Sequence, residues 1–263
     1  MLSAQKVALK PLINFARHTM IALLRKEINS FLNSLIGYIV ITVFLVTISL
    51  FLWIFPGGGF NIADAGYANI DPLFVLTPWV YMLLIPAITM RLFSEEKKTG
   101  TIELLLTRPL TEMQVVGAKY LSGLILVIFS LLPTIVYYVS IYYSSLPVGN
   151  VDSGAVWGSY IGLVFLGGAF VAAGLFASSL ADNQVVAFII SFFLCLFCFK
   201  GFESLAAISG SGSLSNILFN LGINAHYLSM SRGVIDSRDV IYFLSVIFIF
   251  LFLTRTVIES RKW

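Results

Sequence analysis

Long apolar stretches, separated by short polar segments, dominate the pattern of this chain. A helix needs about 20 mostly apolar residues to cross a bilayer, and six stretches reach or approach that length. None alternates strictly between apolar and polar positions, as a barrel strand does. The predicted spans are Leu35–Phe55, Pro72–Met90, Val116–Tyr142, Trp157–Leu180, Val185–Phe199 and Val240–Thr254. The pattern therefore predicts an all-α, polytopic integral membrane protein with six transmembrane helices.

Composition supports this class and excludes most soluble ones. Hydrophobic residues make up 59% of the 263-residue chain, charged residues make up 11%, and the mean hydropathy is +0.95. Soluble domains carry about 25% charged residues and about 45–50% apolar residues. A soluble enzyme, a disordered regulator, a nucleic-acid-binding protein and a disulfide scaffold are thereby excluded.

The basic residues predict the orientation of the spans. Thirteen of the 16 Lys and Arg residues lie before the first span, between the second and third spans, or after the sixth span. The loops 56–71 and 143–156 contain neither residue type. By the positive-inside rule, both termini are cytoplasmic, residues 91–111 form a cytoplasmic segment, and residues 200–239 form an external loop.

Residues 20–34 have the pattern of an amphipathic interfacial helix whose basic face contacts anionic lipid head groups. Arg25 and Lys26 lie on its polar face. Its apolar face consists of Met20, Leu24, Ile28, Phe31 and Leu35. We expect no cleavable signal peptide, and we expect residues 1–19 to be an extension, with Met1 or Met20 as the start.

Ionisable residues are absent from the interior of the predicted spans when Lys119 is assigned to the cytoplasmic side. Ion-coupled transporters often carry such a residue near the midplane, so the energy is expected from another subunit. Sodium sites built from backbone carbonyls remain open. No phosphate-binding loop is found, so the chain is not expected to be the ATPase. Cys195 and Cys198 are interpreted as buried apolar side chains, and His226 as an isolated polar contact.

The segment between the second and third spans is the strongest candidate for a functional site. Five charges crowd residues 91–98, Gly100 permits a sharp turn, and residues 102–106 form a short apolar patch. Thr111 and Gln114 predict a capping box, so the third helix should begin near Glu112. We predict a short cytoplasmic helix that docks a partner, in preference to an ordinary solvated loop. In the fourth span, small residues at Gly154, Gly158 and Gly162 predict close helix packing.

The same segment resembles part of a known transporter family. Phe93–Pro109 resembles the coupling segment of ABC exporter permeases of the drug, polysaccharide and lipid export class (type V), and Leu24-x-Lys26-Glu27 resembles their interfacial helix. Within this class the chain is most similar to the gliding-motility-associated permeases. The further stretches that carry the similarity are Leu52–Pro56, Asp64–Tyr67, Ile85–Met90, Pro147–Asn150, Gly222–Tyr227, Ser231–Val240 and Glu259–Trp263.

The resemblance implies a function and a set of partners. Residues 20–263 would be a single permease domain in the bacterial inner membrane. The domain would couple ATP hydrolysis by a separate cytoplasmic ABC ATPase, which holds ATP and Mg²⁺, to export or conformational work. The chain itself would bind no cofactor. A second permease half, or a companion membrane protein with an extra external domain, would complete the complex, and Leu214–Leu221 would form a short external helix. The alternative is a non-transporting scaffold that anchors envelope or motility machinery.

The resemblance also implies roles for particular residues, none of them catalytic and none a metal ligand. The ATPase-coupling residues are Glu95, Glu96, Lys97, Gly100, Thr101, Glu103, Leu104 and Leu105. Their acidic side chains are expected to pair with basic residues of the ATPase, and the two leucines are expected to fill a groove on it. The interfacial helix contributes Arg25, Lys26 and Glu27. The candidate pathway-lining residues are Trp79, Tyr81, Phe192 and Phe193, which packing explains equally well.

Overall fold

A computed structural model describes residues 20–64, 66–101, 103, 111–210 and 212–260. All regular structure in these residues is helical, and six of their helices are long and apolar enough to cross a membrane. The predicted six-span, all-α architecture is therefore confirmed. The predicted extension, residues 1–19, lies outside the described residues.

Twelve helices are labelled here in chain order, and short irregular turns connect some of them. They are α1 (20–32), α2 (Leu35–Ser49), α3 (Asp71–Thr89), α4 (Arg91–Lys98), α5 (Glu112–Leu131), α6 (Ile135–Ser144), α7 (Ser153–Leu180), α8 (Gln184–Leu196), α9 (Phe202–Ile208), α10 (Ser213–Leu221), α11 (Ile223–Met230) and α12 (Ser237–Glu259). A π-helical turn, Leu50–Ile54, extends α2; another, Phe197–Gly201, joins α8 to α9; and a 3-10 turn, Leu132–Thr134, joins α5 to α6. The six spans are α2, α3 with α4, α5 with α6, α7, α8 with α9, and α12.

Local side-chain caps explain where several spans begin. Thr111 and Gln114 form the predicted capping box, with Gln114 N donating to Thr111 Oγ1 at 3.3 Å, and α5 begins at Glu112 as predicted. Asn183 and Asp236 accept from backbone N–H groups at the starts of α8 and α12. Five of the six helices extend beyond the predicted spans, because a hydropathy window leaves out the polar and charged residues at their ends.

The fourth span, α7, is the centre of the bundle. Its apolar window is 78% buried, and it contacts the second, third, fifth and sixth spans. Glycine makes close approach possible: a Cβ added at Gly158 would lie 2.7 Å from Gly233 Cα, and one at Gly162 would lie 3.1 Å from Met230 Cβ. These two positions of the predicted glycine stripe therefore pack within the bundle.

Apolar side chains cover the outside of the surrounding spans. The windows of the first and fifth spans are each only 22% buried, although their mean hydropathies are 2.6 and 2.4. Such surfaces suit lipid, where helices also satisfy their own backbone hydrogen bonds. The fold is that of a multi-pass membrane protein.

Short helices lie at both ends of the bundle. Because successive spans alternate in direction, α1, α4 and the last turn of α12 share one end, named here the charged end. The helices α9, α10 and α11 lie at the opposite end. The sequence predicts that the charged end is cytoplasmic. The predicted external loop thus contains three helices, and the implied helix at Leu214–Leu221 is present as α10.

Candidate functional site: a buried ion-pair cluster

Lys119 joins three elements at the charged end. It lies seven residues after the start of α5, and its side chain is 0% exposed. Its Nζ lies 3.0 Å from Glu27 Oε1 on α1 and 3.0 Å from Glu96 Oε2 on α4. It also donates a hydrogen bond to Leu92 O at 2.6 Å. Lys119 was counted with the basic residues that precede the third span; the structure instead places it inside α5, which carries this lysine into the bundle.

The cluster balances its own charge. A buried ammonium group is costly unless it is paired and hydrogen-bonded. Glu27 and Glu96 supply two negative charges, and their side chains are 11% and 12% exposed. Lys26 supplies the second positive charge from the rim, with its Nζ 3.3 Å from Glu96 Oε1 and its side chain 62% exposed. Two cations and two carboxylates thus form a neutral group, named here the Lys119 cluster.

An aromatic ring closes one side of the Lys119 cluster. Lys119 Nζ lies 5.1 Å from the centroid of the Phe93 ring, within the range of a cation–π contact. Phe93 has no exposed surface. The ring therefore excludes water from the ammonium group while it interacts favourably with the charge.

A second contact fixes α4 to the end of the fourth span. Ser178 Oγ accepts from Phe93 N at 3.0 Å and from Ser94 N at 3.2 Å, and it donates to Met90 O at 3.0 Å. These are N–H groups of the first turn of α4, which have no partner within a helix. Lys97 extends this anchor, because its Nζ donates to Ser179 O and lies 3.7 Å from Asp182 Oδ1. The first turn and the last turn of α4 are thus both tied to α7.

The predicted coupling residues of α4 divide between two faces. Glu96 and Lys97 point inward, and the Lys97 side chain is 2% exposed. Glu95 points outward, with 45% of its side chain exposed and its Oε2 3.1 Å from Arg91 Nε. The pairing of Glu96 with an ATPase stays a prediction, but its carboxylate already has two partners inside the chain.

The last residue of α4 and the segment after it continue the outward face. Lys98, Gly100, Thr101 and Glu103 are all exposed. Gly100 has a φ of +69°, a conformation that favours glycine, so the predicted turn is present there. The predicted residues Leu104 and Leu105 lie outside the described residues.

The helix α1 has an exposed and a buried face, although Leu35, which was predicted to lie on its apolar face, is exposed and begins α2. Arg25 and Lys26 are exposed, whereas Leu23 and Phe31 are buried against the bundle. Glu27 was predicted with the basic residues, and the structure shows that it instead reaches across to α5.

The candidate pathway residues do not form one surface. Tyr81 has no exposed surface and stacks on Phe44 with ring centroids 5.8 Å apart, so it lies in the core. Trp79 and Phe193 are 46% and 60% exposed. Phe192 is half-buried and contacts Phe193 edge to face.

Comparison with known proteins gives one match. The sequence model of the ABC-2 family transporter proteins matches residues 59–211, which is more than half of the chain. The matched residues include the second to fourth spans, the helix α4, and Lys119 and Glu96 of the Lys119 cluster. No curated protein matches the chain.

Proposed function

Because the chain belongs to the ABC-2 family of transporter proteins and is a permease subunit of an ABC transporter, we propose that it works with a separate ATPase subunit. We propose that this ATPase docks on the outward face of α4 and on the residues that follow it. The two-faced character of α4 is the observation that carries the proposal. Its inward charges are used within the chain, whereas Glu95, Lys98 and Glu103 face outward. An exposed, mixed-charge surface can bind a partner of complementary charge, and a rigidly held helix can transmit the partner's movement to the bundle.

The contacts of α4 supply a route for that motion. The Lys119 cluster ties α4 to α1 and to the third span, and Ser178 with Lys97 ties it to the fourth span. A displacement of α4 would therefore move these elements together. Coupling of this kind requires that the ATPase contact α4 differently in its nucleotide-bound and nucleotide-free states.

The finer assignment rests on the resemblance in sequence. Gly222–Tyr227 and Ser231–Val240 are among the stretches that resemble the gliding-motility-associated permeases. On that basis we assign the chain to the bacterial inner membrane. Its complex would contain a cytoplasmic ATPase that holds ATP and Mg²⁺ and either a second permease half or a companion protein with an extra external domain.

Charge reversal on the outward face tests the docking proposal. We expect Glu95→Lys to weaken binding to the ATPase encoded by the neighbouring gene by about tenfold or more, because close charge pairs across interfaces contribute about 1.5 kcal/mol or more. The measurement is the dissociation constant between the purified ATPase and the permease in lipid nanodiscs. The stimulation of ATP hydrolysis by the permease is recorded in parallel.

Glu259 is the matched control. It lies at the same end of the bundle, is 50% exposed, and pairs with an arginine at the same i,i+4 spacing that Glu95 uses. Glu259→Lys should leave the affinity unchanged. Equal effects of the two reversals would show that the ATPase responds to the overall charge of this end and does not dock on α4.

A further inference from the structure

His226, at the opposite end of the bundle, lies between two hydrogen-bond acceptors. Its Nδ1 is 2.7 Å from Asp239 Oδ1 at the start of α12, and its Nε2 is 2.9 Å from Asn220 O in the last turn of α10. The interpretation of His226 as an isolated residue is therefore wrong: it joins α11 to both neighbouring helices.

The two partners determine how many ring nitrogens must be protonated. An ionised carboxylate and a backbone carbonyl accept hydrogen bonds and donate none, whereas a neutral imidazole has a single N–H group. With Asp239 ionised, both contacts are hydrogen bonds only when both ring nitrogens carry a proton. We propose that His226 is a proton-binding site, and that its bound proton fastens α10 to the bundle through Asn220 and Asp239.

Three groups around the ring complement the proposed cation. Asn220 O belongs to the C-terminal turn of α10, where the helix dipole attracts a cation. The Tyr242 ring stacks on the imidazole with centroids 3.8 Å apart and an interplanar angle of 18°. Asp239 lies in the first turn of α12, where the dipole favours a carboxylate, and its side chain is 8% exposed.

Between residues 200 and 240, the other charged side chains of the described residues are Lys200, Glu203, Arg232, Asp236 and Arg238. On the α9 side, Lys200 Nζ lies 2.8 Å from Glu203 Oε2, and Asn224 of α11 donates to the same oxygen at 2.7 Å. Asp236 caps α12 by accepting from Arg238 N at 3.1 Å. Among the described residues, Asp239 is the carboxylate in contact with the His226 ring.

The helices α10 and α11 differ in how they are held. No side chain of α10 is buried. Besides the His226 contact, α10 has a bond from Tyr242 Oη to Leu221 O at 2.6 Å and one from Ser215 Oγ to Ala206 O at 3.0 Å. By contrast, Tyr227 anchors α11 to the second span by donating to Phe74 O at 2.6 Å, and burial raises the pKa of this hydroxyl well above its usual value. Loss of the His226 proton should therefore loosen α10 and leave α11 in place.

The sign of the effect follows from the two contacts. The protonated ring makes both bonds, so the attachment of α10 is strongest at low pH. A neutral ring keeps one bond and turns a lone pair toward the other oxygen, so the attachment weakens when the ring loses that proton.

Two measurements on the full chain in nanodiscs test this proposal. The first is ¹⁵N NMR of protein labelled at histidine. The substitution His18→Gln leaves His226 as the labelled ring, and its ¹⁵N signals are recorded from pH 5 upward until they change. The second is the amide hydrogen-exchange rate of residues 213–222. At each pH the rate in the wild type is divided by the rate in His226→Gln, which cancels the intrinsic pH dependence of exchange. We expect two protonated ring nitrogens at low pH, and α10 protected at least about tenfold more in wild type than in the variant. Both signals should disappear together as the pH rises.

Tyr242→Phe is the matched control, because it removes a bond to the same turn of α10 without removing a group that titrates in this range. It should lower the protection of α10 by the same factor at every pH. The proposal is overturned if one ring nitrogen is unprotonated at pH 5, or if the ring titrates while the exchange ratio stays constant.

Discussion

Replacing Lys119 with Met tests the energetic importance of the Lys119 cluster. The substitution keeps much of the length of the side chain but leaves Glu27 and Glu96 together, with the exposed Lys26 as their described cationic partner. Removing one partner of a buried ion pair typically costs about 3–5 kcal/mol. For a domain of roughly this size, 1 kcal/mol shifts the unfolding midpoint by about 2–4 °C. We therefore expect the thermal unfolding midpoint of the purified variant to lie roughly 6–20 °C below that of the wild type.

A triple variant separates the loss of pairing from the loss of packing. In Glu27→Gln, Glu96→Gln and Lys119→Met combined, no buried charge is left without a partner. Replacing a whole buried ion pair by neutral groups is often close to neutral for stability, so the triple variant should regain most of the lost midpoint. A Lys119→Met protein that unfolds at the wild-type temperature refutes this reasoning, as does a triple variant no more stable than the single one.

The stable triple variant also tests coupling. It should still bind the partner ATPase through the outward face of α4, but it should stimulate ATP hydrolysis less, because α4 is no longer tied electrostatically to α1 and the third span. Normal stimulation together with normal stability would show that the Lys119 cluster is not needed for transmission.

Two further substitutions test the packing that positions α4 and α7. Ser178→Ala leaves two N–H groups of α4 without this partner and should cost about 1–3 kcal/mol in the free energy of unfolding. Ser179→Ala is the control and should change little, because the Ser179 hydroxyl donates to Phe176 O within its own helix turn. Gly158→Ala should cost about 1–3 kcal/mol, because its Cβ would meet Gly233 Cα at 2.7 Å, whereas at Gly154 the nearest atom lies 3.4 Å away and alanine should be tolerated. Thermal unfolding measures all four, and equal effects within either pair would contradict the corresponding contact.

Local physics made the spans and their caps predictable. A bilayer requires a continuous apolar helix, so hydropathy alone located all six spans. The capping box at Thr111 and Gln114 depends on two residues three positions apart, so it too could be found in the sequence. The turn at Gly100 follows from the conformational freedom of one residue.

Contacts between distant residues explain what the sequence did not reveal. Lys119 and Glu96 are 23 positions apart and Glu27 is 92 positions from Lys119, so no local pattern predicts that they meet. Lys119 was counted with the cytoplasmic basic residues because the positive-inside rule groups a lysine near the end of a span with the adjoining polar segment. His226 was interpreted as isolated because Asp239 contacts it from a different helix.

The burial of the charges around α4 suits the transmission of force. Exposed ion pairs contribute about 0–1 kcal/mol and are screened by salt, so a helix held only by such pairs would shift before it moved its neighbours. The pairs that hold α4 are different, because the Lys119 and Lys97 side chains are 0% and 2% exposed. Water therefore has little access to these two ammonium groups, although Asp182, the partner of Lys97, is 70% exposed, and the cost of leaving a buried charge unpaired makes a partly broken arrangement unfavourable. A load applied at the exposed Glu95 would therefore reach α1 and two spans through contacts that resist yielding.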